Sequence, residues 1–204
     1  MNLLIYDFDG VLINSNFLKN SIIRNVCIRN FPECEDFIDS LIKSTGWTRF
    51  SLISELCSSA NKGVDYEANV LLQIKNELNN ALEFVEKANL PLRKPSDTHQ
   101  VIVSASSHDS LVYLIDKYRW NYFFDAVYGS PRSKNEIIQN EIDLSLYDSV
   151  FVIGDSISDY ALSRNINAYF IGIYGWSVDP QSLKSIDCML FQKLDFFFAS
   201  IMFQ

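Results

Sequence analysis

No stretch of the chain approaches the roughly 20 consecutive apolar residues that a membrane-spanning helix needs; the nearest is the tail at residues 196–203. That tail is expected to pack on a core as a terminal helix or strand, or to make a dimer contact. Positive charge is in deficit. Against 25 Asp and Glu stand 17 Lys and Arg, a formal charge of −8, which argues against nucleic acid and against membrane surfaces as partners. A local cation can still recruit a phosphorylated substrate within such a field. The four cysteines, Cys27, Cys34, Cys57 and Cys188, lack the close spacing of a zinc site or redox pair and read as reduced thiols. His99 and His108 stand alone and read as surface or loop residues, not ligands. Repeats, low-complexity tracts and long charge runs are missing too. The first strand is expected to begin almost at Met1, so a cleaved leader would carry off the first acidic motif with it; the expected location is cytoplasmic. What is present is an ordinary globular composition, 48% hydrophobic over 204 residues. That length suits one domain, or one domain with an insertion.

Leu3, Leu4, Ile5 and Tyr6 form a short apolar run that reads as a buried strand, and it breaks into Asp7, Phe8, Asp9 and Gly10. Charge at the end of a buried strand is costly unless it serves a cation or a reaction. At period two, Asp7 and Asp9 face one side, and Gly10 permits an abrupt turn before Val11, Leu12 and Ile13. Acids at such a place also cap helices and fill turns, so the pair alone leaves both readings open.

After Gly10 the texture becomes helical. Phe17, Ile22, Ile23, Val26 and Cys27 keep helical spacing, as do Phe37, Ile38, Leu41 and Ile42. Further helical patterns cover residues 49–58 and 64–88, punctuated by Pro32, Gly46 and Gly63, for a bundle of about four helices. Residues 90–100 carry Pro91 and Pro95 and are expected to form no regular element. From there strands (101–103, 126–128, 150–153, 168–173, 188–191) alternate with helices (108–118, 133–141, 156–164). Such alternation predicts an α/β fold, a Rossmann-like, mainly parallel sheet with helices on both faces, interrupted by an inserted helical-bundle cap. The expected core is 1–14 with 91–204, and the expected cap 15–90. Ligands of these sheets bind beyond the carboxyl ends of the strands. Asp7, Asp9, Ser104 and Asp155 are all expected there, with Lys134 opening the helix after the third strand.

Taken together, DFDGVLINS at 7–15, VIVSAS at 101–106, SPRSK ending at Lys134 and VIGDSISD at 152–159 resemble the four ordered motifs of haloacid-dehalogenase-like hydrolases. The helical insertion sits where members of that superfamily carry an alpha-helical cap, as in phosphoglycolate phosphatase and beta-phosphoglucomutase relatives. The resemblance implies phosphoryl transfer. Asp7 would be the nucleophile that forms an aspartyl phosphate, and Asp9 the general acid and then base. Relatives that cleave carbon–halogen or carbon–phosphorus bonds typically lack an acid at the second position, so Asp9 favours phosphate esters. Mg²⁺ would be bound by the Asp7 carboxylate, the Asp9 carbonyl and Asp155, with Asp159 one helical turn on completing the shell or holding a water. Ser104 would bind the phosphoryl oxygens, helped by the amides of Ala105 and Ser106 leading into a helix N-terminus. Lys134 would neutralise nucleophile and phosphoryl group.

Several positions depart from the pattern. Asn14 and Asn16 stand where relatives often carry acids or similar residues near the cap entrance, and Asn165 replaces a usual glycine, a turn asparagine can support. Within the cap, Thr45, Gly46, Trp47, Thr48, Arg49 and Phe50 resemble the arginine-bearing loop of beta-phosphoglucomutase-like caps. Arg49 is therefore the candidate specificity residue, with Trp47 and Phe50 read as packing. A lidded crevice suits a small phosphorylated metabolite, a sugar phosphate among the candidates, acted on by a monomer or homodimer. The cap histidine of the mutases has no counterpart, Lys19 and Asn20 filling that neighbourhood, which favours a phosphatase over a sugar phosphomutase. A non-catalytic metabolite-binding or scaffold protein on the same fold is the third reading.

Overall fold

A computed structural model describes residues 1–43 and 48–202. Along the chain, β1 (Asn2–Tyr6) is followed by α1 (Asn16–Asn30), α2 (Glu35–Lys43), α3 (Arg49–Ser59) and α4 (Val64–Leu82). Then come β2 (Thr98–Ser107), α5 (His108–Lys117), β3 (Ala126–Ser130), α6 (Lys134–Glu141), β4 (Ser149–Gly154) and α7 (Ile157–Asn165). The last elements are β5 (Tyr169–Ile173), α8 (Pro180–Lys184), β6 (Met189–Phe191) and α9 (Leu194–Met202). Two compact units result, Met1–Asn16 with Val85–Gln204, and Phe17–Phe84. Thr45, Gly46, Trp47 and Phe203 lie outside the described residues.

In the first unit the six strands form one sheet in the order β3-β2-β1-β4-β5-β6, and every pairing is parallel. Parallel strands need crossovers, and right-handed crossovers that run outward from β1 in opposite directions lay their helices on opposite faces. The central strand β1 is therefore covered on both faces, which is why it is apolar without alternation. Leu3 and Ile5 join Val101, Val103, Val152 and Phe170 in a core closed by Ile137, Ile138, Leu162 and Leu183. On the other face, Tyr6 meets Phe123 and Phe124 edge-on at 6.5 and 5.5 Å, and Phe123 meets Phe198 of α9 at 5.5 Å. The apolar tail is thus a helix on the core, with Phe197 and Phe198 buried. Each such fully buried side chain contributes about 1.5–3 kcal/mol. Among the described residues, no helix is long and apolar enough to cross a membrane.

The second unit is built on stripes at helical spacing. Val70, Ile74, Leu78 and Leu82 bury one face of α4, and Leu52, Ile53, Leu56 and Cys57 bury that of α3. Thr48 caps α3 through a reciprocal pair with Ser51. Arg24 binds Asp39 at 2.6 Å and Glu35 at 2.8 Å. Burial pushes the Cys27 thiol up to about 12, so it is inert at neutral pH.

Four local expectations need correction. The helix expected over 64–88 ends at Leu82, because the following backbone pairs instead with the chain after β1: Asn14 N–H donates to the Glu86 carbonyl and Ala88 N–H to that of Leu12, both at 2.9 Å. The segment 90–100 is not wholly irregular; β2 already starts at Thr98, opposite Asn2. Asn165 is the last residue of α7, and the left-handed turn after it is made by Asn167, at φ 54°. His99 lies within β2, with its Nδ1 on the Tyr147 hydroxyl, so it is a strand residue and not a loop one.

Candidate active site

Strand order reverses between β1 and β4, and the crevice at such a reversal is where ligands of open parallel sheets sit. β1 stops at Tyr6, so Asp7 and Asp9 lie just past the strand and not on it. Asp7 N–H still donates to the Ile153 carbonyl of β4 at 2.9 Å, which pins the acid at the mouth of the crevice. Gly10, at φ 77°, then reverses the chain. A Cβ at this glycine would lie 2.2 Å from Asp155 Oδ2, so both conformation and space demand glycine here.

Asp155 directly follows β4, and Ser156 caps α7 behind it. Asp159 is the third residue of that helix. Its amide donates to Ser156 Oγ at 3.3 Å, while Ser156 Oγ donates to Asp159 Oδ2 at 2.6 Å. Asp155 stands outside the helix, so the two acids meet through this capping turn, correcting the expected one-turn helical spacing. Lys134, first residue of α6, spans the site, with Nζ 2.9 Å from Asp7 Oδ2 and 2.6 Å from Asp159 Oδ1. One carboxylate oxygen from each of Asp7, Asp155 and Asp159 lies within 4.8 Å of the others.

The electrostatics follow from crowding in a dry place. Burial first, then Asp159 and Asp9, push the Asp7 carboxyl up to about 6, although Lys134 pulls it down. Burial together with Asp159 and Asp7 drives Asp155 well above the usual carboxylate range. Burial pulls Lys134 down, yet Asp159 and Asp7 outweigh it and the ammonium is held above its ordinary value. With Asp9 counted, one ammonium faces four carboxyl groups. Hard oxygen donors from three side chains, under-neutralised in this way, are the donor set a divalent ion such as Mg²⁺ takes, so the residues fit that ion.

Asp9 has a different setting from Asp7. Its Oδ1 accepts from Ser15 Oγ at 2.5 Å and its Oδ2 from Ser106 Oγ at 2.6 Å. Two carboxyls from one motif are thus placed in unlike surroundings, the arrangement that separates a nucleophile from an acid–base group. Ser104 is 1% exposed and its Oγ accepts from Ser106 N–H at 3.2 Å. The β2–β3 register shifts between Val103 and Ser107, which releases this stretch from regular pairing. The Ser106 amide is therefore engaged locally, Ala105 is exposed, and Ser107 caps α5. The helix opens at His108, where it was expected, with the amides of Ala105 and Ser106 ahead of it. Arg49 opens α3 in the other unit, its guanidinium 5.0 Å from the Phe50 ring centre.

Sequence reasoning assigned Ser106 only a backbone role and Asn16 only a place near the cap entrance; the side-chain contacts of Ser15 and Ser106 with Asp9, of Asn16 with Asp155, and of Ser177, whose Oγ donates to the Asp155 carbonyl at 2.6 Å, were not foreseen. Only Ser106 carried a usable signal, standing two residues after Ser104 and so on the same side of a strand.

A family model described as haloacid dehalogenase-like hydrolase matches residues 4–173. No curated protein matches the chain. Solved structures do. The assigned haloacid dehalogenase-like hydrolase of Bacteroides fragilis superposes with a TM-score of 0.65 at 16% identity, over 96% of this chain and 98% of that one. The assigned phosphoglycolate phosphatase of Lactobacillus plantarum gives 0.61 at 16% identity, over 96% and 97%. The assigned beta-phosphoglucomutase of Thermotoga maritima gives 0.64 at 12% identity, over 99% of each chain. At such identities the likeness is one of fold.

Proposed function

The chain belongs to the haloacid dehalogenase-like hydrolases, and we propose that it is a magnesium-dependent phosphatase that frees inorganic phosphate from a small phosphorylated metabolite. The observation that carries this reading is the unlike setting of two carboxyls from one motif. Asp7 is paired with Lys134 among Asp155 and Asp159, and Asp9 is held apart by Ser15 and Ser106.

The chemistry divides among the residues accordingly. Asp7, ionised at neutral pH with its carboxyl at about 6, attacks phosphorus, and the bond from phosphorus to the ester oxygen breaks. Asp9, in the general-acid role, gives a proton to the departing oxygen. It then takes one from the water that attacks the phosphorylated Asp7, and phosphate and free Asp7 result. The serine hydroxyls aim the Asp9 carboxyl and limit its rotation. Lys134 holds the attacking carboxylate and offsets charge gathering on the phosphoryl oxygens, and Ser104 supplies a hydroxyl to them. Asp7, the Asp9 carbonyl and Asp155 would hold Mg²⁺, with Asp159 behind them. The ion supplies positive charge that lets an anion approach a carboxylate. Arg49, with a planar fork of donors, is assigned to substrate recognition from the helical unit.

Phosphate release from a panel of sugar phosphates, phosphoglycolate and nucleotides, with and without magnesium, tests the reading. Magnesium-dependent release from at least one substrate is expected. Migration of phosphate on a sugar without release would make the chain a phosphomutase. No turnover together with no magnesium binding would make it a non-catalytic binding protein.

A further inference from the structure

Resting on the reading of Asp155 as a cation ligand, we propose that Asn16 is a positioning residue that orients this carboxylate and sets the affinity of the site for its divalent ion. Asn16 Nδ2 donates to Asp155 Oδ2 at 2.8 Å and to the Trp176 carbonyl at 3.2 Å. Two acceptors facing one end of the side chain identify that end as the NH₂ group, since the amide oxygen would be repelled by both. The neighbour of Trp176 closes a circuit, because Ser177 Oγ donates to the Asp155 backbone carbonyl at 2.6 Å. Asp155 is thereby held at its main chain by Ser177 and at its carboxylate by Asn16. Gly10 makes room for the pair: a Cβ there would stand 2.2 Å from Asp155 Oδ2 and 2.4 Å from Asn16 Nδ2. Three separate stretches of chain are thus built around one carboxylate.

The residue type suits the task. Asp155 is buried and already lies beside the carboxylates of Asp159 and Asp7. A carboxylate at position 16 would add to their mutual repulsion and could donate nothing. The neutral amide donates once to the Asp155 carboxylate and once to the Trp176 carbonyl, and so fixes the carboxylate's orientation before a cation arrives.

The test is direct titration of the full chain with MgCl₂ by calorimetry, for the wild type, Asn16→Ala and Asn16→Leu, the last an apolar group of nearly the same size. Loss of an outer partner of a metal ligand weakens binding by about tenfold or more, and both variants should show a fall of that order. The magnesium concentration giving half-maximal phosphate release should rise by the same factor, and the lost rate should return largely as magnesium is raised. A defect of the fold would instead lower the Tm in EDTA and resist magnesium. Wild-type magnesium affinity in a folded variant overturns the role of Asn16. Failure of the wild type itself to bind magnesium overturns the cation reading on which it rests.

Discussion

Replacing Asp7 by its isosteric amide, Asp7→Asn, separates the cost of burying this carboxylate from its use. Burial, with Asp159 and Asp9 adding to it and Lys134 opposing, holds the Asp7 carboxyl at about 6, against 3.8 for the free group. A carboxyl raised in this way keeps its proton longer in the folded chain than in the unfolded one. Between about pH 4 and pH 6 the folded state therefore binds more protons, stability falls as the pH rises, and above that window the whole penalty is present. It amounts to roughly 3 kcal/mol. Asparagine cannot ionise and escapes it. In EDTA at pH 8, Asp7→Asn should be more stable than the wild type by up to roughly 3 kcal/mol, or about 6–12 °C in Tm for a chain of this size. At pH 4, where Asp7 is protonated in the folded wild type, the advantage should almost vanish. Urea unfolding followed by tryptophan fluorescence at pH 4, 6 and 8 measures this. A variant less stable than the wild type at pH 8, or equally favoured at all three values, would refute the buried-charge argument. Phosphate release should be abolished, because the amide does not attack phosphorus; retained turnover would remove Asp7 as nucleophile.

Ser106→Ala removes one of the two hydroxyls on Asp9 and should slow hydrolysis of alkyl phosphates by about tenfold. p-Nitrophenyl phosphate, whose leaving group needs little protonation, should be hardly affected, and equal losses on both would count against Asp9 as the acid. Lys134→Met strips Asp7 and Asp159 of their shared ammonium and should cost about 3–5 kcal/mol in metal-free protein by urea unfolding; unchanged stability would contradict the pairing. Arg49→Ala should raise KM for the metabolite while leaving small aryl phosphates nearly untouched, and a uniform loss across substrates would exclude a role in specificity.

Much of the scaffold was legible in residue order. The apolar run before Asp7 and the alternation of strand and helix after residue 100 follow from burial, because strands covered on both faces must be apolar throughout. The stripe at Val70, Ile74, Leu78 and Leu82 likewise marks a helix with one covered face. Boundaries were less legible where distant backbone competed for hydrogen bonds. Glu86, Lys87 and Ala88 are all good helix formers, yet the Glu86 carbonyl and the Ala88 amide pair with the chain at Asn14 and Leu12. Thr98 enters β2 because Asn2 stands opposite it.

Asp7, Lys134, Asp155 and Asp159 could be picked out from the sequence because they fall together in four ordered motifs; taken singly, such residues also cap helices and fill turns. Only the folded chain decided what those groups do to one another. Ser15, Asn16, Ser106 and Ser177 are ordinary polar residues until the strand order brings them to Asp9 and Asp155 from positions up to 139 residues away. Periodicity reports which face a residue occupies within its own element. Pairing across elements depends on strand order, register and the reversal at Gly10, and those exist only once the sheet has closed around them.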